Sequence, residues 1–286
     1  VKGVVCATEN IYIGNRKLTN KNNAIVCSDG VDFICQKDGN IDKYVGFTSN
    51  VYLKDDKIVF IDTLKEAETI TVSDRDFVSI SSDLRTLKYL EDGKSKTASI
   101  RRNADFVYNG RSCYGVLKSD FNVENGLLEL YDFDLDGVYE YVKIESCTPV
   151  VVNSINYDTK TFNDIKTNKT YNYDDSKNLV VVSDGREYDF SNIKKYDLLF
   201  ISESKGTDSL TTINVSGVAG EGTVDAVSSY EIVIDGDSYG VGKNINTAAF
   251  KTGKNYLFAV DKSGAVVYFM EKSGGNSVYA YVIDAG

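Results

Sequence analysis

Short apolar runs rich in Val, Ile, Tyr and Phe recur along this whole chain, and turn dipeptides separate them. Asn10–Ile13, Ala24–Cys27, Val31–Cys35, Lys57–Asp62, Leu127–Tyr131, Tyr139–Glu145, Leu198–Glu203, Tyr256–Val260 and Ala265–Glu271 are examples. Asp29-Gly30, Asn109-Gly110, Asp184-Gly185 and Asp235-Gly236 punctuate them. Runs of this length and composition at this spacing read as β-strands joined by tight turns. Lys17–Asn23, Arg75–Phe77 and Leu84–Leu90 hold a helical turn or two at most. No longer window keeps an apolar period of 3.6 residues. The expected fold class is all-β, with several small β-barrel or β-sandwich-like units arranged in an elongated row.

The two ends of the chain repeat each other. Tyr44-Val45-Gly46 precedes Val51-Tyr52-Leu53, a charged tip and Ile58–Ile61; Lys251-Thr252-Gly253 precedes Phe258-Ala259-Val260, a second charged tip and Val266–Phe269. Asp29-Gly30 stands before the first copy and Asp235-Gly236 before the last. A looser copy follows Asp184-Gly185. Internal duplication implies a string of related modules. The expected borders are 1–73, 74–148, 149–215 (opened by Pro149) and 216–275. Ser273-Gly274-Gly275 then acts as a joint, and 276–286 is the first strand of a further unit. Both ends read as cuts in a longer protein.

The chemistry concentrates in Asp132-Phe133-Asp134-Leu135-Asp136-Gly137, between the strands Leu127–Tyr131 and Tyr139–Glu145. Alternate carboxylates closed by a glycine converge on a cation when the loop curls. Asp132, Asp134 and Asp136, the Val138 carbonyl and Glu140 form the expected ligand set for Ca²⁺. Lys143 at the twelfth position, with strands on both flanks, excludes a helical EF-hand. The alternative is an acidic hairpin with no ion. Phe133 and Leu135 suit solvent poorly, so the loop is expected to pack on the core.

Composition removes several function classes. The chain has no His and no Trp, which excludes His-based acid–base catalysis and most zinc chemistry. A net charge of −10 argues against a nucleic-acid partner. No apolar window is long enough for a membrane-spanning helix, so no membrane insertion is expected. Cys6, Cys27, Cys35 and Cys147 lie within or beside apolar runs and read as small buried hydrophobes, with Cys113 a fifth cysteine. A Cys27–Cys35 cross-strand disulfide is the other reading, if Ser28, Asp29 and Gly30 form the turn. The carboxylate pairs Glu187 with Asp189 and Glu129 with Asp132 are the only glycosidase candidates proposed, and a non-enzymatic chain is expected. Tyr139, Tyr141, Tyr171, Tyr173, Tyr188, Tyr279 and Tyr281 alternate on strands, as a sugar-stacking stripe or as rings buried with wet hydroxyls.

Residues 74–148 resemble a module in the β-rich repeat region of large Gram-positive, clostridial-type cell-surface proteins that carry S-layer homology domains. The resemblance rests on Ala104-Asp105-Phe106-Val107-Tyr108-Asn109-Gly110 and on Asp132–Val142, with Phe133 and Leu135 in place of small polar residues. It extends weakly to the hairpins near both ends and to Val278–Asp284. What the resemblance implies is a non-catalytic structural segment of a long extracellular scaffold. Its expected partners are other modules of the same chain, neighbouring copies or a cell-wall or surface glycan. A phage or virion fibre and an adhesin or carbohydrate-binding module are the alternatives.

Overall fold

The computed structural model describes residues 1–272 except 15, 19, 65, 124, 175–177, 206–208 and 262–263. The fold is all-β. Among the described residues there is no α-helix, only strands and four short 3-10 helices. Leu84–Leu90, a candidate helical turn by sequence, leads into a strand instead, because its apolar positions Leu87 and Tyr89 alternate into the core. At Asp29-Gly30, Asp92-Gly93, Asn109-Gly110, Asp184-Gly185 and Asp235-Gly236, both residues have positive φ. That is the turn type whose twist matches two-residue β-hairpins.

Contacts divide the chain into two compact units. One is Val1–Thr148 with Asp175–Asp189 and Phe200–Asn214; the other is Pro149–Asp174 with Phe190–Leu199 and Val215–Gly286. In the first, β1 (Lys2–Ala7), β2 (Asn23–Ser28), β3 (Val31–Gln36), β4 (Thr48–Lys54) and β5 (Lys57–Thr63) close a barrel in the order β1-β2-β3-β5-β4. β3 meets β5 in parallel at Gln36 and Lys57, and all other neighbours are antiparallel. A 3-10 helix, Asp42–Tyr44, links β3 to β4.

The second sheet repeats this plan with a broken first strand. β6 (Glu68–Ser73) and β7 (Phe77–Ile80) share that place. β8 (Thr86–Glu91), β9 (Lys94–Tyr108), β10 (Arg111–Cys113), β11 (Leu127–Asp132) and β12 (Val138–Glu145) follow. The order is β6-β11-β12-β9-β8-β7, with β9 and β12 parallel and β10 paired to β9. Glu68–Ser73, placed by sequence at the end of the first unit, is therefore a strand of the second sheet, paired to β11.

β13 (Thr148–Asn156), β14 (Thr161–Asp164) and β15 (Thr170–Asn172) form successive antiparallel pairs. β16 (Leu179–Ser183) and β17 (Arg186–Glu187) are a hairpin, followed by β18 (Asp197–Glu203) and β19 (Thr211–Val218). The last barrel is β20 (Gly220–Val227), β21 (Glu231–Ile234), β22 (Asp237–Val241), β23 (Asn255–Val260) and β24 (Ala265–Glu271). It closes as β20-β21-β22-β24-β23, with β22 and β24 parallel.

The first and last barrels thus share strand order, parallel closure and a 3-10 helix before the fourth strand. Finer marks agree as well. The Gly46 N–H donates to the Val5 carbonyl, and the Gly253 N–H donates to the Val224 carbonyl. Both first strands bulge just beyond those residues, between Val5 and Ala7 and between Val224 and Ala226. A five-stranded Greek-key barrel of this order is the OB-type arrangement.

The cores are made by the alternating positions. Val72, Leu87, Ile100, Leu128, Leu130, Val142 and Ile144 fill the second sheet, and Val224, Ile232, Tyr256 and Val266 the last barrel. Among the described residues no cysteine forms a disulfide. The two-residue turn at Asp29-Gly30 sets Cys27 opposite Asp32 and Cys35 opposite Ala24, so the register keeps Cys27 and Cys35 from facing each other. Cys6 and Cys35 are buried, and burial pushes the Cys6 thiol up to about 11. Residues 273–286, including the expected joint and following strand, lie outside the described residues.

Candidate metal centre at the aspartate hairpin

β11 and β12 pair in register from Leu127 with Glu145 to Tyr131 with Tyr141, and the aspartate loop is their tip. Asp132, the last residue of β11, is fully buried. Its Oδ1 accepts the N–H groups of Leu135 at 2.6 Å and Asp136 at 3.3 Å, and its Oδ2 accepts that of Gly137 at 2.7 Å. Burial acts to raise its pKa, but these three donors outweigh it and hold the carboxyl below the usual carboxylate value. Leu135 and Gly137 both adopt positive φ, so the loop curls tightly around that carboxylate.

The other predicted ligands lie close by. Carboxylate oxygens of Asp132, Asp134 and Asp136 fall within 4.8 Å of one another. Asp134 and Asp136 are exposed, and both pair with Arg101, whose Nη2 lies 3.2 Å from Asp134 and 2.6 Å from Asp136. Val138 opens β12 and donates its N–H to Asp136 Oδ1 at 2.8 Å. Glu140 is half-buried, with Oε2 buried and lacking a hydrogen-bond partner among the described residues. Burial raises the Glu140 pKa, the Asp134 charge adds to this, and Arg101 opposes it. Arg101 was not foreseen from sequence. It enters because β9 bulges between its pairings Ile100 with Tyr139 and Asp105 with Tyr141. The loop therefore carries its own cation.

Phe133 turns inward from this loop. It packs at 5.2 Å from Phe47, 5.9 Å from Tyr131 and 5.9 Å from Tyr141 between ring centroids. Its ring covers Gly46, where any side chain would collide with it and where φ is +93°. Tyr131, Tyr141 and Val107 of the second sheet thus share one core with Val5, Ile11, Val45 and Val51 of the first barrel. The expectation that the loop packs on the core holds for Phe133, whereas Leu135 is exposed. A second clasp joins the first barrel to the same sheet. Ser112 Oγ accepts from the Tyr12 N–H at 2.8 Å and donates to its carbonyl, and Asp105 accepts from the Gly14 N–H at 3.0 Å. A cavity of about 280 Å³ lies beside this clasp, lined by Tyr12, Asp105, Ser112, Cys113 and Tyr114 among others.

Glu187 and Asp189 are exposed. Glu129 faces Lys143 across the β11–β12 ladder, while Asp132 holds the loop backbone. Among the described residues the tyrosines form no open stripe: Tyr139, Tyr141 and Tyr173 are buried, Tyr188 is half-buried and Tyr171 stacks on Phe162 at 5.3 Å, while Tyr279 and Tyr281 lie outside the described residues. Among the described residues no helix is long and apolar enough to cross a membrane.

No family model and no curated protein sequence matches the chain. Two solved structures show a distant likeness. One is drosophila Unr CSD456, at 10% identity and TM-score 0.22 over 73% of this chain and 99% of that one. The other is a multidomain protein with nucleic acid binding domains from Streptococcus pneumoniae, at 10% identity and TM-score 0.16 over 70% of this chain and 71% of that one. Scores this low carry no assignment of fold or ligand. The expectation of no nucleic-acid partner is not kept beside a neighbour described by its nucleic acid binding domains: a net charge of −10 averages over the chain and does not describe any one face.

Proposed function

We propose that this chain is a non-enzymatic structural segment of a long extracellular surface scaffold, built of repeated small β-modules. One observation carries the reading. The most conspicuous polar motif, the aspartate hairpin, is turned to joining barrels: Asp132 fixes the loop, and Phe133 seats on Gly46. The resemblance of Ala104–Gly110 and Asp132–Val142 to modules of S-layer-homology surface proteins supports the extracellular placement. Surface labelling of intact source cells tests it. Labelling of this segment on whole cells is the expected result, and labelling only after lysis would reject the placement.

Calcium belongs to the same proposal as a structural ion. Asp132, Asp134 and Asp136, with the Val138 carbonyl and Glu140, would hold it, and its charge would replace that of Arg101 at Asp134 and Asp136. The convergence of three carboxylates and the half-buried Glu140 support this. Calorimetric titration of the chain with Ca²⁺ tests it, with binding in the ~10⁻⁴ to 10⁻³ M range expected for an extracellular module.

A further inference from the structure

The repeated barrels present one aromatic position in three settings. In each, counting from the first parallel pair on the fifth strand, the third residue onward is aromatic. From Lys57, Val138 and Ala265, paired to Gln36, Ser99 and Gly240, this gives Phe60, Tyr141 and Tyr268. The facing residues on the fourth strand are Tyr52, Tyr131 and Ala259.

In two settings the aromatic is covered by the β-unit preceding it in sequence. Tyr141 is 2% exposed, packed with Phe133 in the core shared with the first barrel. Tyr268 is 5% exposed; its hydroxyl donates to Asp164 at 2.8 Å and accepts the Lys166 N–H at 2.9 Å. In the first barrel nothing covers it among the described residues. Phe60 is 61% exposed, Tyr52 50% and Val59 59%, and the Tyr52 and Phe60 rings pair at 5.7 Å. Val267, the equivalent of Val59, is buried.

The receiving side is also duplicated. Gly46 is covered by the Phe133 ring, and its equivalent by backbone bonding is Gly253. Gly253 has φ +78°, and no described atom lies within 4 Å of a Cβ built there. Thr252, Gly253 and Lys254 are exposed.

We propose that the Tyr52–Phe60 face of the first barrel is a docking surface for the Gly253 turn of a second copy, so that copies join head to tail. The occupant is a second copy because its last barrel has the same strand order as the barrel that receives Tyr141, and no described residue fills its glycine seat. Such a contact is heterologous: each copy keeps one face for the next, so more than two copies can join. This rests on the barrel equivalences and not on the surface-scaffold reading, which its failure would leave standing.

Sedimentation equilibrium of the whole chain from micromolar to millimolar concentration tests the join. Weight-average mass should rise with concentration. Phe60→Ser with Tyr52→Ser should abolish the rise, as should Gly253→Asn, since asparagine tolerates positive φ and fills the seat. Tyr230→Ser, at an exposed tyrosine elsewhere, should leave it unchanged. Mixing the Phe60/Tyr52 variant with the Gly253 variant should give a dimer that does not extend, because each retains one intact face. A wild-type chain that stays monomeric, association indifferent to either variant, or a mixture that does not pair would each overturn the proposal. Circular dichroism of each variant separates loss of docking from loss of fold.

Discussion

The Phe133 ring lies where a side chain on Gly46 would begin, so two residues far apart in sequence fix one contact between adjoining barrels. Gly46→Ala adds overpacking to an unfavourable φ of +93°. The expected loss is about 2–5 kcal/mol, read by urea unfolding. Phe133→Ala alone should cost about 2–4 kcal/mol. The double variant should lose at least ~1 kcal/mol less than the sum, because each change removes the obstacle the other meets. Additive losses would mean that the ring does not occupy that place.

Asp132 is fully buried and accepts three backbone N–H groups of its own loop. Asp132→Ala strands those donors and loosens the loop that aims Phe133. A loss of about 2–4 kcal/mol is expected, with a new protease-sensitive site between 132 and 138. An unchanged melting temperature would show that the loop is held by its neighbours and not by this carboxylate.

Acid titration should show two opposed effects. Asp132 titrates below its ordinary value in the fold, so its stabilisation is present above the unfolded pKa of about 4 and is lost as pH falls through the lower folded value. Glu140, Glu145 and Asp105 go the other way. Burial is the leading cause for each, reinforced by Asp134 at Glu140 and by Glu129 at Glu145. Their folded forms take up protons before the unfolded chain does, so stability rises as pH falls through their raised values. Thermal unfolding should therefore show a shallow gain below neutrality and a loss under about pH 4. A monotonic decline from pH 7 would contradict the raised carboxyls.

Tyr268 tests the joint in the second unit. Its hydroxyl serves Asp164, which is itself buried and also accepts the N–H and hydroxyl of Thr167. Tyr268→Phe should cost about 1–3 kcal/mol through the unmet Lys166 N–H and the lost bond to Asp164, which keeps Val151 and Thr167 as donors. Hydrogen exchange should speed up at Lys166 first. Equal exchange in the variant and the parent would place the hydroxyl outside the network.

The all-β class, the hairpin turns and the duplication were legible because they are local. An Asp-Gly pair demands positive φ wherever it sits, and the alternation of Leu128, Leu130, Val142 and Ile144 announces a buried face. The duplication was read from the hairpins alone, although Gly3-Val4-Val5-Cys6-Ala7 and Gly222-Thr223-Val224-Asp225-Ala226 carry it too. The place of β6 was not legible, since a strand's partner fifty residues on leaves no local trace. Arg101 was missed for the same reason. Only the β9 bulge brings it across to Asp134 and Asp136, and nothing in Ile100-Arg101-Arg102-Asn103 marks which arginine turns inward.

Arg101 also decides the calcium question. With the guanidinium in place, Asp134 and Asp136 share one positive charge, and an incoming ion must displace it. Arg101→Met should lower the metal-free melting point only slightly, since exposed pairs contribute ~0–1 kcal/mol. The same variant should gain ~1.4 kcal/mol at a Ca²⁺ concentration ten times its Kd, more than the parent gains at that concentration. Asp134→Ala in the Arg101→Met background should erase that response. If neither the parent nor the Arg101→Met chain changes its melting curve between excess chelator and millimolar Ca²⁺, the arginine is the loop's resident cation and the hairpin is an acidic clasp without a metal.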